Sequence, residues 1–226
     1  MPFIEPNAAH SDHYMRIPEP MIFDLMRPLG ARRGEMEMNA LADADARSGD
    51  LSWAPELEYA FDDGFALEIE LPFENAALSK YKFGLQKTLE TDLERGMING
   101  WQSILYKDHG SKYISADVTY IHALRWNARW SSVSLLGLRM HHLNAKPRTD
   151  PLLNNSVFYD VSTRLTLGLE LNHEVQSGGR WRYRATPQVH YDLTQFYTAQ
   201  LGWALSNLDG PKKEASVFSM RLIRVF

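Results

Sequence analysis

The chain has 226 residues, no cysteine, and 24 Lys plus Arg against 28 Asp plus Glu, for a formal net charge of −4. That length fits one domain, the charge gives no basis for a nucleic-acid partner or a polybasic membrane anchor, and the missing cysteine excludes disulfides, thiolate metal sites and a cysteine nucleophile. No apolar run reaches the length of a spanning helix, and the first residues lack the charged start and apolar stretch of a signal peptide, so an exported form is expected to have lost its leader.

Residues 1–33 read as an N-terminal extension and 34–226 as one β domain. His10, Asp12 and His13 could hold a transition metal, but a solvated leading tail is the expected reading, and no metal site is predicted. The stretch PEPMIFDLMRPLGARR, residues 18–33, is too apolar for an idle tail. It is expected to plug a lumen, lie against a rim or dock onto a partner.

From residue 34 onward helical periodicity is nearly absent and period two dominates. Leu57, Tyr59 and Phe61 alternate with Glu56 and Glu58; Phe65, Leu67, Ile69, Leu71 and Phe73 alternate with Ala66, Glu68 and Glu70. The one helical candidate, ALSKYKFGLQKTLETDLERG, reads better as alternation over Tyr81, Phe83, Leu85 and Leu89. Strands are predicted near 34–46, 50–61, 65–74, 79–90, 97–107, 112–125, 129–143, 153–161, 164–176, 180–193, 195–207 and 214–226. One parity persists from Val157 through Leu171, so a break at Ser162 and Thr163 separates a count of twelve from eleven.

Loop lengths favour twelve, because an outer-membrane barrel alternates short periplasmic turns with longer external loops and needs an even count. The predicted short turns are 62–64, 91–96, 126–128, 162–163 and 193–195; the long loops include AKPRTDPLLN and NLDGPKKE. Trp53, Phe73, Tyr81, Tyr113, Trp126, Trp130, Tyr159, Trp181, Tyr183 and Trp203 lie mostly near strand ends, as two interfacial girdles would require. The slightly polar mean hydropathy is compatible with this, since lipid-facing and lumen-facing side chains alternate. The last strand, SVFSMRLIRVF, sets Phe218, Met220, Leu222 and Phe226 on one face and resembles the signal by which outer-membrane barrels are recognised for assembly, with Arg224 standing where an aromatic or apolar residue is usual.

The stretches WAPELEYAFDDGFALEIELPFE, SKYKFGLQKTLE and YDVSTRLTLGLELNHE resemble the outer-membrane transporters associated with meta-pathway phenol degradation. The resemblance covers roughly residues 34–226. It implies a membrane barrel with a transport role and brings no catalytic or binding residue.

If the apolar parity faces lipid, Glu56, Glu58, Glu68 and Glu70 converge in the lumen, Glu58 opposite Glu68 and Glu56 opposite Glu70. Like charges opposed across a ladder require compensation. Lys80, Lys82, Arg164, Arg182 and Arg184 share the inward parity and are the expected partners. The cluster reads as a salt-bridge network filling a small barrel, as a charged constriction, or as a seat for a hard cation. His141 and His142 point to opposite strand faces and form no site. With no Gly-x-Ser-x-Gly turn, P-loop or phosphate cradle, no catalysis and no cofactor are predicted.

The expectation is therefore an all-β, closed antiparallel transmembrane β-barrel of about twelve strands in the bacterial outer membrane. It would serve as a narrow channel or transporter for small solutes, or as a sealed scaffold that anchors or encloses a partner. The expected partners are the lipid bilayer, the barrel-assembly machinery during insertion, and a protein docking through the N-terminal segment or the external loops.

Overall fold

The computed structural model describes residues 15–23, 25–176, 179–207 and 215–226. His10, Asp12 and His13, and residues 208–214 of the predicted external loop, lie outside them. The strands are β1 Met36–Asp45, β2 Leu51–Asp62, β3 Phe65–Glu70, β4 Phe73–Glu74, β5 Ala77–Leu78, β6 Lys80–Asp92, β7 Met97–Asp108, β8 Ser115–Arg125, β9 Trp130–His141, β10 Arg148–Asp160, β11 Leu165–Gln176, β12 Arg180–Asp192, β13 Tyr197–Ser206 and β14 Ala215–Val225.

Twelve of these strands close a ring of antiparallel neighbours. β1 pairs with β2 on one side and with β14 on the other, from Glu37↔Val225 to Asp45↔Val217. The Phe226 N–H donates to Met36 O at 2.9 Å and continues the seam beyond the last paired residue. Closure leaves the twelve-stranded ring without a sheet edge, the condition lipid imposes on a β structure. β4 and β5 form a small hairpin that prolongs β2 beyond the ring through Trp53↔Phe73.

Parity divides the wall as the alternation predicts. Leu57, Tyr59, Ile69, Phe83, Leu167, Leu169, Met220 and Leu222 are exposed on the outside, while Glu58, Glu170, Thr186 and Ser219 are buried inside. The β2–β3 turn is set by Gly64, whose φ of 66° suits glycine and whose added Cβ would lie 2.9 Å from Thr88 Cβ. The break near Ser162 is real: β10 ends at Asp160, β11 starts at Leu165, and Val157 lies opposite Leu169.

Two predicted boundaries are corrected. The strand expected over 65–74 breaks at Pro72, which cannot donate to a ladder, and the chain turns there into the β4–β5 hairpin. β10 begins at Arg148, so much of the predicted AKPRTDPLLN loop is strand. Pro151 is tolerated because it pairs with Leu138 of β9 while the β11 ladder starts one residue later, at Leu152↔Glu174.

Residues 15–23 and 25–33 run inside the ring. Arg16 lies at the short-turn end, donating to Thr163 O at 2.7 Å and pairing with Asp192, also at 2.7 Å. At the other end of the segment, Ala31 O accepts the Gly64 N–H of the β2–β3 turn at 2.7 Å, so the chain returns to the same rim. Between these points Ile17, Leu25 and Leu29 pack against the inward faces of Ile98, Ile121, Ala123, Val133, Leu135 and Phe158 on β7–β10. The larger part of the core is thus one apolar face of the inserted segment against four strands of the wall, and a smaller cluster sets Met26 and Ala31 against Ala60 and Ala66 of β2 and β3.

Candidate functional site

The inserted segment has no ladder of its own, so its backbone must find partners among lumen side chains. Glu170 on β11, fully buried, accepts the N–H groups of Met21 at 3.0 Å, Ile22 at 3.0 Å and Phe23 at 2.6 Å, and also the amides of Asn172 and Gln188. Gln102 Oε1 accepts the Met26 N–H at 3.3 Å, Gln86 donates to Arg27 O at 2.9 Å, and Thr88 Oγ1 accepts the Gly30 N–H at 2.9 Å. Arg221 of β14 ion-pairs with Glu19 and donates to Pro20 O at 3.3 Å.

Beside the segment lies the acidic cluster. The register sets Glu56 opposite Glu70 and Glu58 opposite Glu68, all on the lumen face. Glu56, Glu58 and Glu68 each bring a carboxylate oxygen within 4.8 Å of the others, a spacing that could hold a hard cation. Lys82 ion-pairs with Glu70, and Asn39 of β1 donates to Glu58 at 3.1 Å. Arg221 stands 3.8 Å from Glu56 and donates to Asn39 Oδ1 at 3.1 Å. A cavity of about 30 Å³, with room for one or two waters, adjoins Met21, Phe23, Glu56, Glu68, Glu70 and Arg221.

Four of the expected cations do not join this cluster. Lys80 pairs instead with Asp108 at 3.8 Å. Arg164 sits exposed in the β10–β11 turn, and Arg182 lies opposite Glu174 near the far end of β12. Arg184 pairs with Asp43 at 2.8 Å and with Ser219 at 2.8 Å. Arg164 fails because it stands in a turn, outside the alternation of either strand; Lys80, Arg182 and Arg184 lie on strands, and their height along the barrel, which parity does not report, separates them from the glutamates.

Two further networks brace the wall. Towards the long-loop end Arg139 bridges Asp117 at 2.7 Å and Glu174 at 2.8 Å, and Asp150 accepts from Arg148 at 2.8 Å and contacts His141. Towards the short-turn end Arg125 pairs with Asp160 at 2.9 Å and donates to Arg16 O at 2.6 Å. On β14, Phe218, Met220 and Leu222 face outward and Phe226 is exposed, while Arg224 lies over the rings of Phe226 and Tyr197. Trp130 packs on Tyr159 at the short-turn end, whereas Trp53 on Phe73 and Trp181 on Tyr183 lie towards the long loops.

Sequence reasoning missed Arg221, Glu170 and Asn39. For Glu170 and Arg221 the signal is present, since both occupy the inward parity of strands with clear outward alternation; β1, which carries Asn39, has no such pattern of large apolar residues. Sequence reasoning also missed the inward glycines. A Cβ at Gly84 would lie 2.7 Å from Met26 Sδ, and one at Gly100 would lie 2.5 Å from Leu29 Cδ2. These glycines leave the room that the segment fills.

A family model described as HAEPLYID-like matches residues 14–95, the inserted segment through β6. No curated protein matches the chain. Among solved structures, a NanC porin is similar at a TM-score of 0.70 and 7% identity, covering 83% of this chain and 98% of that one. A KdgM porin is similar at 0.65 and 10% identity, covering 84% and 99%. Omp33 of Acinetobacter baumannii is similar at 0.51 and 7% identity, covering 85% and 98%. Over most of its length, the chain therefore has the closed twelve-stranded antiparallel fold of bacterial outer-membrane porins.

Proposed function

We propose that the protein is an outer-membrane channel for small solutes whose bore is closed by its own residues 15–33. One observation carries this reading: the wall encloses a bore wide enough for chain to pass in and return, and the occupant is held mainly by side-chain contacts while the wall is held by ladders. Much of the lining beside the segment is polar, including Glu56, Gln86, Gln102, Glu170 and Arg221. With the segment displaced, such a lining would hold water and the acidic cluster would favour cations. The finer form of this reading is a transporter of the kind associated with meta-pathway phenol degradation, resting on the resemblance carried by residues 53–74, 79–90 and 159–174.

A second reading, a permanently sealed scaffold, is favoured by the apolar contact of Ile17, Leu25 and Leu29 with Phe158 and its neighbours, which is packed like a protein core. Planar-bilayer recording of the refolded full chain separates the two. Brief openings that become frequent when Glu170 is changed to Gln support the channel. Silence from both folded proteins overturns it and leaves the scaffold.

A further inference from the structure

The outer wall carries a feature that conduction does not need. Glu90 pairs with Asn99, Asn99 with His122, His122 with Ser134, and Ser134 with Asn155, a strip that crosses β6, β7, β8, β9 and β10. These residues face outward, because their strand neighbours Ile98, Ile121, Ala123, Val133, Leu135 and Phe158 pack against the inserted segment. Ser132, two residues from Ser134 along β9, shares that face.

The strip is diagonal. Glu90 lies two residues from the short-turn end of β6, whereas Asn155 lies five residues from the end of β10. At 3.4 Å per residue and a tilt near 40°, Asn155 stands roughly 10 Å above the interfacial ring of Tyr159, near the middle of the apolar band. On β11 the outward positions are Leu165, Leu167, Leu169 and Leu171, the composition that lipid contact demands.

Hydrogen bonding within the strip is incomplete. Asn99 donates to Glu90 at 3.2 Å and contacts His122 Nδ1 at 2.7 Å. Ser132, Ser134 and Asn155 make no side-chain hydrogen bond among the described residues. Polar groups left open to hydrocarbon are costly, and their presence in a lipid-facing position marks a surface that is covered by something polar.

We infer that the outer face of β6–β10 seats a second copy of this chain. Phospholipid offers only hydrocarbon at the depth of Ser134 and Asn155. The strip combines amides and hydroxyls, which both donate and accept, with an acceptor at Glu90 and a ring nitrogen at His122. A two-fold axis normal to the membrane reverses the slant of a diagonal strip, so the two strips cross rather than run side by side; where they cross, at Ser134, groups that both donate and accept can pair with their own copies, whereas groups of one sign would need an unlike partner.

The chain contains no cysteine, so single cysteines report contacts cleanly. Ser134→Cys tests the strip and Leu169→Cys tests the leucine face as a control, both in the full chain refolded into phospholipid vesicles and oxidised. The expected result is a disulfide-linked dimer from Ser134→Cys several-fold in excess of that from Leu169→Cys. Native mass spectrometry of the unmodified chain should show an oligomer that Asn155→Leu with Ser134→Val converts to monomer, and heat-modifiable mobility on gels confirms that each variant is folded. Equal cross-linking at both positions, or a monomer that loses a bound lipid in the apolar variant, overturns the second copy.

Discussion

Changing Glu170 to Gln tests whether the inserted segment is held by one carboxylate. Three consecutive N–H groups of the segment end on its two oxygens, and two lumen amides complete the shell. Glutamine keeps the shape, removes the charge and replaces one acceptor with a donor aimed at backbone N–H groups. Hydrogen bonds to a charged acceptor are worth roughly 1.5–3 kcal/mol each, and weakening two or three of them in a buried site should cost about 3 kcal/mol. That corresponds to about a hundredfold shift away from the seated segment. Hydrogen exchange of the Met21, Ile22 and Phe23 amides in detergent-solubilised protein reads it directly, with ladder amides of β11 as the internal reference. Unchanged protection at these three amides, with β11 equally unchanged, would refute the reasoning, because the segment would then be held elsewhere.

Gly84→Val should displace Met26, whose Sδ would lie 2.7 Å from the new Cβ, and Met26→Ala in the same chain should restore much of the loss; urea midpoints of the two single variants and the double give the coupling. Phe158→Ala should lower stability by about 3–5 kcal/mol, because the ring is fully buried between wall and segment, and the urea midpoint checks it. Arg221→Met leaves Glu19 and Glu56 buried without their nearest cation and should cost about 3–5 kcal/mol by the same measurement, with part of the loss recovered by adding Glu19→Gln.

The wall was legible because a barrel records its fold in the shortest periodicity a chain possesses. Alternation at Leu57, Tyr59 and Phe61 and again at Leu165, Leu167 and Leu169 assigns each side chain to lipid or lumen, and the Asp62–Gly64 stretch fixes which glutamates face each other. Depth is another matter. Arg184 and Glu56 share the lumen but not a level, and strand stagger is set by ladders around the whole ring. The course of residues 15–33 was also hidden, since a segment with prolines and no period takes its conformation from distant groups such as Glu170 and Gln102. Inward glycines at Gly84 and Gly100 were the local trace of it, readable only once something is known to need the space.

The inserted segment begins and ends at the same rim, with Arg16 against Thr163 and Ala31 against Gly64. Topologically it is a bight pushed into a tube, not a cord drawn through one. A ring whose first and last strands are joined at a seam can therefore close around empty space and take up the bight later, or release it, without any ladder of the wall coming apart. Among the described residues nothing is knotted, so the order in which wall and occupant assemble is left free by their geometry.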